Sequence, residues 1–338
     1  MKKTRLLLMI LLLALPVFSQ KVTKVGTTAA GFLNIDVGAR AVGMGSAFVT
    51  LSDDPSGIYW NPAGLARMST PQTMFSHTAW LLDLAFNFAA VTIPVRGTGT
   101  LGLSAAFLSM DDMERTTIDQ PMGSGEYFSA GSYAFTLSYA RRLTDRFSIG
   151  GNVKLIQEKI YHSSATGMAF DIGTLFETQF NGFMIGMSIS NYGTKMRMNG
   201  RDMLIQSDVD PQIYGNNENI NSHLDTDAYD LPLMFRVGCS IDVLRGAGNS
   251  NLILALDALH PNNDVESLNA GAEYVFNKMV ALRAGYKSLF ARDSEVGPCV
   301  GGGLRYRIKD FTELRLDYAF QDFGVLKNIQ KFSLMLGF

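Results

Sequence analysis

The sequence predicts an all-β protein, a transmembrane antiparallel β-barrel of about 14 strands with an N-terminal lumenal hatch. Three observations predict it. The chain opens on an export-type leader and later carries no apolar run long enough for a spanning helix; from residue 71 onward it alternates with period two; and its connections sort by length according to parity.

Residues 1–19 place Lys2, Lys3 and Arg5 before an apolar run, Leu6 to Leu15, followed by Pro16-Val17-Phe18-Ser19. This is the layout of a secretory signal, with cleavage expected near Ser19/Gln20. No later run approaches the ~20 apolar residues of a helical span. The residue expected to follow the cut is Gln20 and not cysteine, which argues against a lipoprotein anchor. An exported chain of this kind is either soluble or crosses a membrane as a closed barrel, which satisfies every backbone polar group in lipid.

Alternation marks about fourteen segments: 71–80, 85–95, 99–109, 131–142, 146–160, 166–179, 182–192, 231–244, 250–261, 266–276, 279–289, 297–308, 311–321 and 328–338. In 131–142, Tyr133, Phe135, Leu137 and Tyr139 share one face and Ala134, Thr136, Ser138 and Ala140 the other. Alternation alone also fits a soluble sandwich. Loop parity separates the two. The even-numbered connections are tight (96–98, 143–145, 180–181, 245–249, 277–278 and 309–310), whereas the odd ones include the long insertions 110–130 and 193–230. Bacterial barrels combine short periplasmic turns with longer external loops. The last segment places Phe332, Leu334, Leu336 and Phe338 outward and closes on an aromatic, a signal for barrel assembly.

The opposite face of the later segments is charged: Arg236, Asp242, Asp257, Glu273, Arg283, Lys287, Arg305, Arg307, Glu313, Arg315 and Asp317. Each would cost a few kcal/mol against lipid near mid-bilayer, less for the acids, so these residues are expected to line the lumen. Both signs are mixed, which fits a salt-bridged wall better than an ion-selective path. About eight strands already make a lumen that side chains can just fill, so about fourteen leave a space that needs a plug. Residues 20–70 precede the alternation and are expected to supply it. Gly38, Ala39, Ala41, Gly43, Gly45, Ser46 and Ala47 permit close approach to a wall, Asp53-Asp54-Pro55 reads as a turn, and Asn61-Pro62 reads as a helix start with Asn as N-cap.

Composition and motifs exclude other classes. Lys plus Arg total 29 against 31 Asp plus Glu, and the net charge of −2 gives no basis for binding nucleic acid. Gly43-Met44-Gly45 lacks the third glycine and the β-α-β context of a dinucleotide loop. His77, His162, His223 and His260 form no metal-ligand spacing, no serine sits in a nucleophile elbow, and the Asn/Asp-rich 193–230 insertion lacks the order of a calcium loop. Neither an enzyme nor a cofactor is expected. Cys239 and Cys299 fall on opposite faces, which argues against a disulfide. Met44, Met68, Met184 and Met234 suit either an adaptable apolar path or packing under the hatch.

The stretch "VGARAVGMGSAFVTLSDDPSGIYWNPAGLA" resembles the N-terminal signature of the PorV/PorQ family of outer-membrane proteins, and its "NPAGL" core is similar to that of FadL-type transporters. The motif residues are Gly38, Arg40, Gly43, Gly45, Asp53, Asp54, Trp60, Asn61, Pro62 and Gly64. The resemblance implies a signal peptide at 1–19, a hatch or plug at 20–70 and an outer-membrane barrel at 71–338. In the PorV branch it further implies a part in type IX secretion, with secretion-system proteins and cargo as partners at the external face. Two functions stay open: such a secretion component, or a FadL-like channel for a hydrophobic ligand. The channel needs an apolar pocket against the hatch and a gap in the wall, for which Gly150-Gly151 and Gly301-Gly302-Gly303 are candidate kinks.

Overall fold

The computed structural model describes residues 26–180, 182–208, 212, 217, 219–245, 248–291, 296–308, 312–326 and 328–338. The expected leader at 1–19, residues 20–25 and the turn residues Asn181, Lys309 and Asp310 lie outside them.

Fourteen long strands follow in chain order: β1 (Gln72–Ala79), β2 (Ala85–Val95), β3 (Gly99–Ser109), β4 (Ala130–Arg142), β5 (Phe147–Ile160), β6 (Ser163–Glu177), β7 (Met184–Gly193), β8 (Met234–Asp242), β9 (Asn251–Pro261), β10 (Ser267–Phe276), β11 (Val280–Leu289), β12 (Pro298–Ile308), β13 (Thr312–Asp322) and β14 (Asn328–Gly337). Each pairs antiparallel with the next, and β14 returns to β1 from Gln72↔Gly337 to Ala79↔Gln330. The sheet is therefore a closed barrel, the arrangement that removes exposed strand edges. A two-residue strand, Asn199–Gly200, adds to β6 at one end.

Period-two patterning decides which face each residue takes. On β4, Phe135 and Leu137 are more than half exposed on the outer face, whereas Thr136 and Ser138 are buried on the inner one. The outer face of β14 carries Phe332 and Leu334, with the exposed Phe338 following the strand, and its inner face carries Lys331, Ser333 and Met335. Cys239 takes the outward register of Ile185 and Leu256, while Cys299 is buried on the inward face, and both are free.

Loop lengths follow the expected parity in the two long insertions, while one connection at their end is shorter than expected. The long connections, 110–129 and 194–233, lie at one end, but Tyr161-His162 at that same end is only two residues. The ladder between β5 and β6 runs on to Ile160↔Ser163, three residues beyond the expected start of β6, and Tyr161 turns the chain at φ +51°. The long connections also carry structure. Met113–Glu114 pairs with Tyr127–Phe128, and Leu204–Ser207 with Ile220–His223.

The segment before β1 forms four short helical pieces, Gly31–Asn34, Ala39–Gly43, Gly57–Trp60 and Pro62–Arg67. The expected helix start at Asn61-Pro62 is a 3-10 turn: Asn61 Oδ1 accepts from Ala63 N at 3.1 Å, and Pro62 occupies the first position, where no donor is needed. Asp54 Oδ1 accepts from Ser56 N at 3.0 Å, which makes the turn expected at Asp53-Asp54-Pro55.

The segment packs against inward strand faces on opposite sides of the barrel. Pro62–Arg67 lies on β3 to β6, and Ala39–Gly43 on β11 to β14. Approach is close enough that a Cβ on Gly150 would run into the Pro62 backbone. Gly45, at φ +62°, sits directly on the Tyr286 backbone. Ile58 and Leu65 share a core with Phe86, Phe88 and Ile156, while Met44, Phe48 and Trp60 pack toward Ala255.

Candidate functional site

Inside the barrel six charged side chains form a closed ring with alternating sign. Arg40 donates from Nε and Nη2 to both oxygens of Glu273 on β10, each at 2.9 Å. Glu273 also accepts from Arg283 Nε on β11 at 2.6 Å, and Arg283 Nη1 reaches Asp317 Oδ1 on β13 at 2.8 Å. Asp317 pairs with Arg315 at 3.0 Å, and Arg315 Nη2 donates to Asp54 Oδ2 at 2.5 Å. Arg40 Nη1 closes the ring on Asp54 at 3.4 Å and takes the half-exposed Asp53 at 2.5 Å from outside. All six ring members are buried, the condition under which ion pairs need complete partners.

Strand order explains the geometry. Glu273 and Arg283 are direct register partners, but Arg283 and Asp317 stand two strands apart with β12 between them. On β12 the inward positions are Gly301 and Gly303, and a Cβ on Gly303 would run into both Asp317 and the Arg283 guanidinium. The glycine run is thus the gap through which an ion pair crosses a strand. Pairing through Gly301, Gly302 and Gly303 is continuous on both sides, as it is at Gly150 and Gly151, so neither run is a kink. Register shifts occur instead between Phe170 and Ile172 and between Leu268 and Ala270.

Burial alone would raise the Asp54 carboxyl, but Arg315 and Arg40 overcome it and hold its pKa below the ordinary carboxylate value. Asp36 behaves likewise: burial opposes ionisation, and Lys287 and Lys331 outweigh it. Lys287 bonds the Asp36 carboxylate, and Lys331 its backbone carbonyl.

The remaining expected residues contribute separately. Asp257 accepts from the backbone N–H groups of Phe48 and Val49 at 2.7 and 2.9 Å. The Arg236 guanidinium lies over the Tyr59 and Trp60 rings, 5.4 and 5.5 Å from their centroids, and donates to Ser190 at 2.9 Å. Trp60 Nε1 donates to the Val37 carbonyl at 2.9 Å. Asn61 Nδ2 donates to Val49 and Thr174 carbonyls at 3.0 Å, bridging the segment to β6. Gly38 begins the Ala39–Gly43 helix at φ +85°; Gly43 lies on Gly301, and Gly64 on Ser52. Arg305 and Arg307 pair with Glu313 at 2.9 and 3.9 Å nearer the short-turn end, and stand apart from the ring. Asp242 accepts from Asn251 Nδ2 at 2.7 Å.

Sequence reading overlooked a second buried cluster, in which Lys154 pairs with Asp171 at 2.8 Å and with Asn191 Oδ1 at 2.8 Å. It also overlooked the fully buried Lys331, which sits over the Trp80 ring. The signal was there: each occupies an inward register position, Lys154 between Asn152 and Ile156 and Lys331 next to the outward Phe332.

Two cavities adjoin the segment. An apolar one of about 30 Å³ lies within the barrel among Phe32, Ile58, Phe86, Phe88 and Ala134. A larger one of about 420 Å³ sits at the long-loop end, where Asp36, Trp80, Arg236, Lys287 and Phe323 meet.

Solved structures similar to this chain are FadL-type barrels. A Pseudomonas aeruginosa FadL homologue has a TM-score of 0.55 at 12% identity, covering 89% of this chain and 98% of that one. The Ralstonia pickettii toluene transporter TbuX gives 0.54 at 10%, covering 90% and 98%, and the Pseudomonas putida toluene transporter TodX 0.54 at 11%, covering 89% and 97%. At these identities the likeness is one of fold. No curated protein sequence matches the chain. The family model that matches residues 18–211, through the buried segment and the seventh strand into the long connection after it, is that of the type IX secretion system protein PorV, and the chain belongs to that family of outer-membrane barrels.

Proposed function

We propose that the protein serves type IX secretion as a non-enzymatic barrel, closed by a hatch at residues 20–70 and binding protein partners, secretion components or cargo, at its external face. In this layout residues 1–19 are the removed signal, residues 71–338 the barrel, and outer-membrane lipid the contact of the outward face. The observation that carries the reading is how the interior is occupied: the N-terminal segment spans from β3–β6 to β11–β14, with an apolar cavity of about 30 Å³ beside it within the barrel and a larger one of about 420 Å³ at the long-loop end.

The smaller volume also weighs the second reading, a channel for a hydrophobic ligand. The toluene transporters share the fold, and a hydrophobic ligand crossing the barrel would need room within it, where the apolar cavity of about 30 Å³ lies. An apolar cavity that takes benzene measures about 150 Å³, so this one is several-fold too small as it stands. Of Met44, Met68, Met184 and Met234, the first three are buried in packing clusters, whereas Met234 lines the larger cavity at the long-loop end.

Deleting the gene in its host tests the proposal. Proteins carrying the type IX C-terminal sorting domain should then accumulate in the periplasm and be restored to the surface by the intact chain. Normal surface display, combined with lost uptake of a monoaromatic hydrocarbon, would replace the proposal with the channel.

A further inference from the structure

The cavity at the long-loop end carries chemistry that the barrel does not use. Arg236 lines it, is 4% exposed, and has no carboxylate partner among the described residues; its Nε lacks any hydrogen-bond partner there. Asn34 and Asn263 also line the cavity, each with a side-chain oxygen that lacks a partner. Buried polar atoms are ordinarily satisfied. The Arg236 donor calls for an acceptor such as a carboxylate, whereas the two amide oxygens call for donors such as backbone N–H groups of the same ligand; of the carboxylates that also line the cavity, Asp36 is already tied to Lys287, and Asp264 stands beside it. A guanidinium offers its donors as a planar fork suited to a carboxylate.

The rim is of the opposite character. The described residues of the connections after β1, β11 and β13 reach the cavity through Trp80, Ala291 and Phe323, and Trp80 and Phe323 meet edge to face at 5.6 Å. The same connections hold out Leu82 at 91% exposure, Phe290 at 87% and Leu326 at 51%. Leu82 and Phe290 also stand in left-handed backbone, at φ +55° and +64°, where bulky residues are rarely found and which concentrates at binding sites. This apolar surface extends past the cavity mouth, so it suits a length of chain better than a free anion.

We propose that the cavity receives an acidic side chain from an extended segment of a protein partner, held by Arg236, while apolar neighbours of that residue rest on Leu82, Phe290 and Leu326. The inference rests on the external-face reading above and adds the chemistry that the partner presents.

The chain's two tryptophans report on the site, because Trp60 lies under the Arg236 guanidinium and Trp80 lines the cavity. The experiment titrates full-length protein in detergent with three probes, following tryptophan emission: a blocked heptapeptide with one glutamate flanked by leucine and valine, its glutamine counterpart, and sodium acetate. The glutamate peptide should give a saturable change and bind about tenfold or more tighter than the glutamine peptide, as expected for a buried charge-assisted pair. Arg236→Met should erase that preference, with heat-modifiable gel migration confirming a folded barrel, and Leu82→Ser with Phe290→Ser should weaken both peptides alike. Equal binding of the two peptides by the parent protein overturns the inference, as does a preference that survives Arg236→Met. Acetate alone reproducing the full change at peptide concentrations would show an adventitious ion only and also overturns it. Failed peptide discrimination beside periplasmic cargo in the deletion strain would reject this site while leaving the secretion role standing.

Discussion

Arg315 on β13 and Asp54 of the N-terminal segment are joined at 2.5 Å, so one buried ion pair ties the wall to what lies inside it. Neither residue is paired only once. Arg315 also meets Asp317, and Asp54 also meets Arg40, which makes the attachment a ring whose members depend on one another.

The ring should respond sharply to loss of a single member. Glu273→Ala leaves Arg40 and Arg283 buried and facing each other, a change of the kind that costs about 3–5 kcal/mol. Removing Arg305, which pairs with Glu313 at a more exposed position, should cost about 1 kcal/mol or less. Heat-modifiable migration on gels measures both. Matching shifts would mean that the ring carries no special share of the attachment.

Acid should loosen the segment only at low pH. The Asp54 carboxyl is held below its ordinary value in the folded protein, whereas in an unfolded chain it would titrate near 3.9. A depressed acid stabilises the folded state fully above that unfolded value, and the contribution is lost as pH falls through the folded value. Protease cleavage within residues 26–70 should therefore stay constant from pH 7 to about 5 and rise below about 4. Asp54→Asn should blunt the rise. A transition near neutral pH would assign control to another group.

Strand boundaries were legible because the barrel imposes one rule on every strand: β2 and β3 fall at their expected limits, and the largest departures are the three residues at the starts of β6 and β8. The outward aromatics and inward charges follow from the same rule. The ring was not legible, because its members come from the N-terminal segment and three strands and are brought together only by barrel closure. Lys331 escaped notice because it is the single charge in the inward register of β14, and Lys154 because only Glu158 joins it among the polar and apolar residues of its face, whereas β11 to β13 each carry two or more inward charges. The glycines of β12 pointed to a kink on composition alone; the use they serve appears only once Arg283 and Asp317 are seen on either side of them.

Topology can be read from outside the cell. With Cys239 and Cys299 replaced by serine, a cysteine at Asn217 in the 194–233 connection should react with an impermeant thiol reagent on intact cells. One at Asn277, in the short turn between β10 and β11, should react only after the envelope is opened. Reversed labelling would place the long loops in the periplasm.

The hatch itself is tested by removing it. Deleting residues 28–66 takes away the helices that lie on β3–β6 and β11–β14 but leaves every ladder of the closed sheet, so the barrel should still insert. The charges left behind, Glu273, Arg283, Arg315 and Asp317, retain partners among themselves and would be met by water entering the vacated space. Planar-bilayer recordings should then show larger and steadier currents than the intact protein gives. Asn61→Ala with Pro62→Ala should fall between the two. The first change removes the side chain that caps Pro62–Arg67 and bridges to Thr174, a loss typically worth about 1 kcal/mol for the cap alone, and the second frees the turn's backbone. A current that stays at the parent level after the deletion would mean that the lumen is closed by the strands and loops themselves, and the segment would then be a brace for the wall instead of a plug.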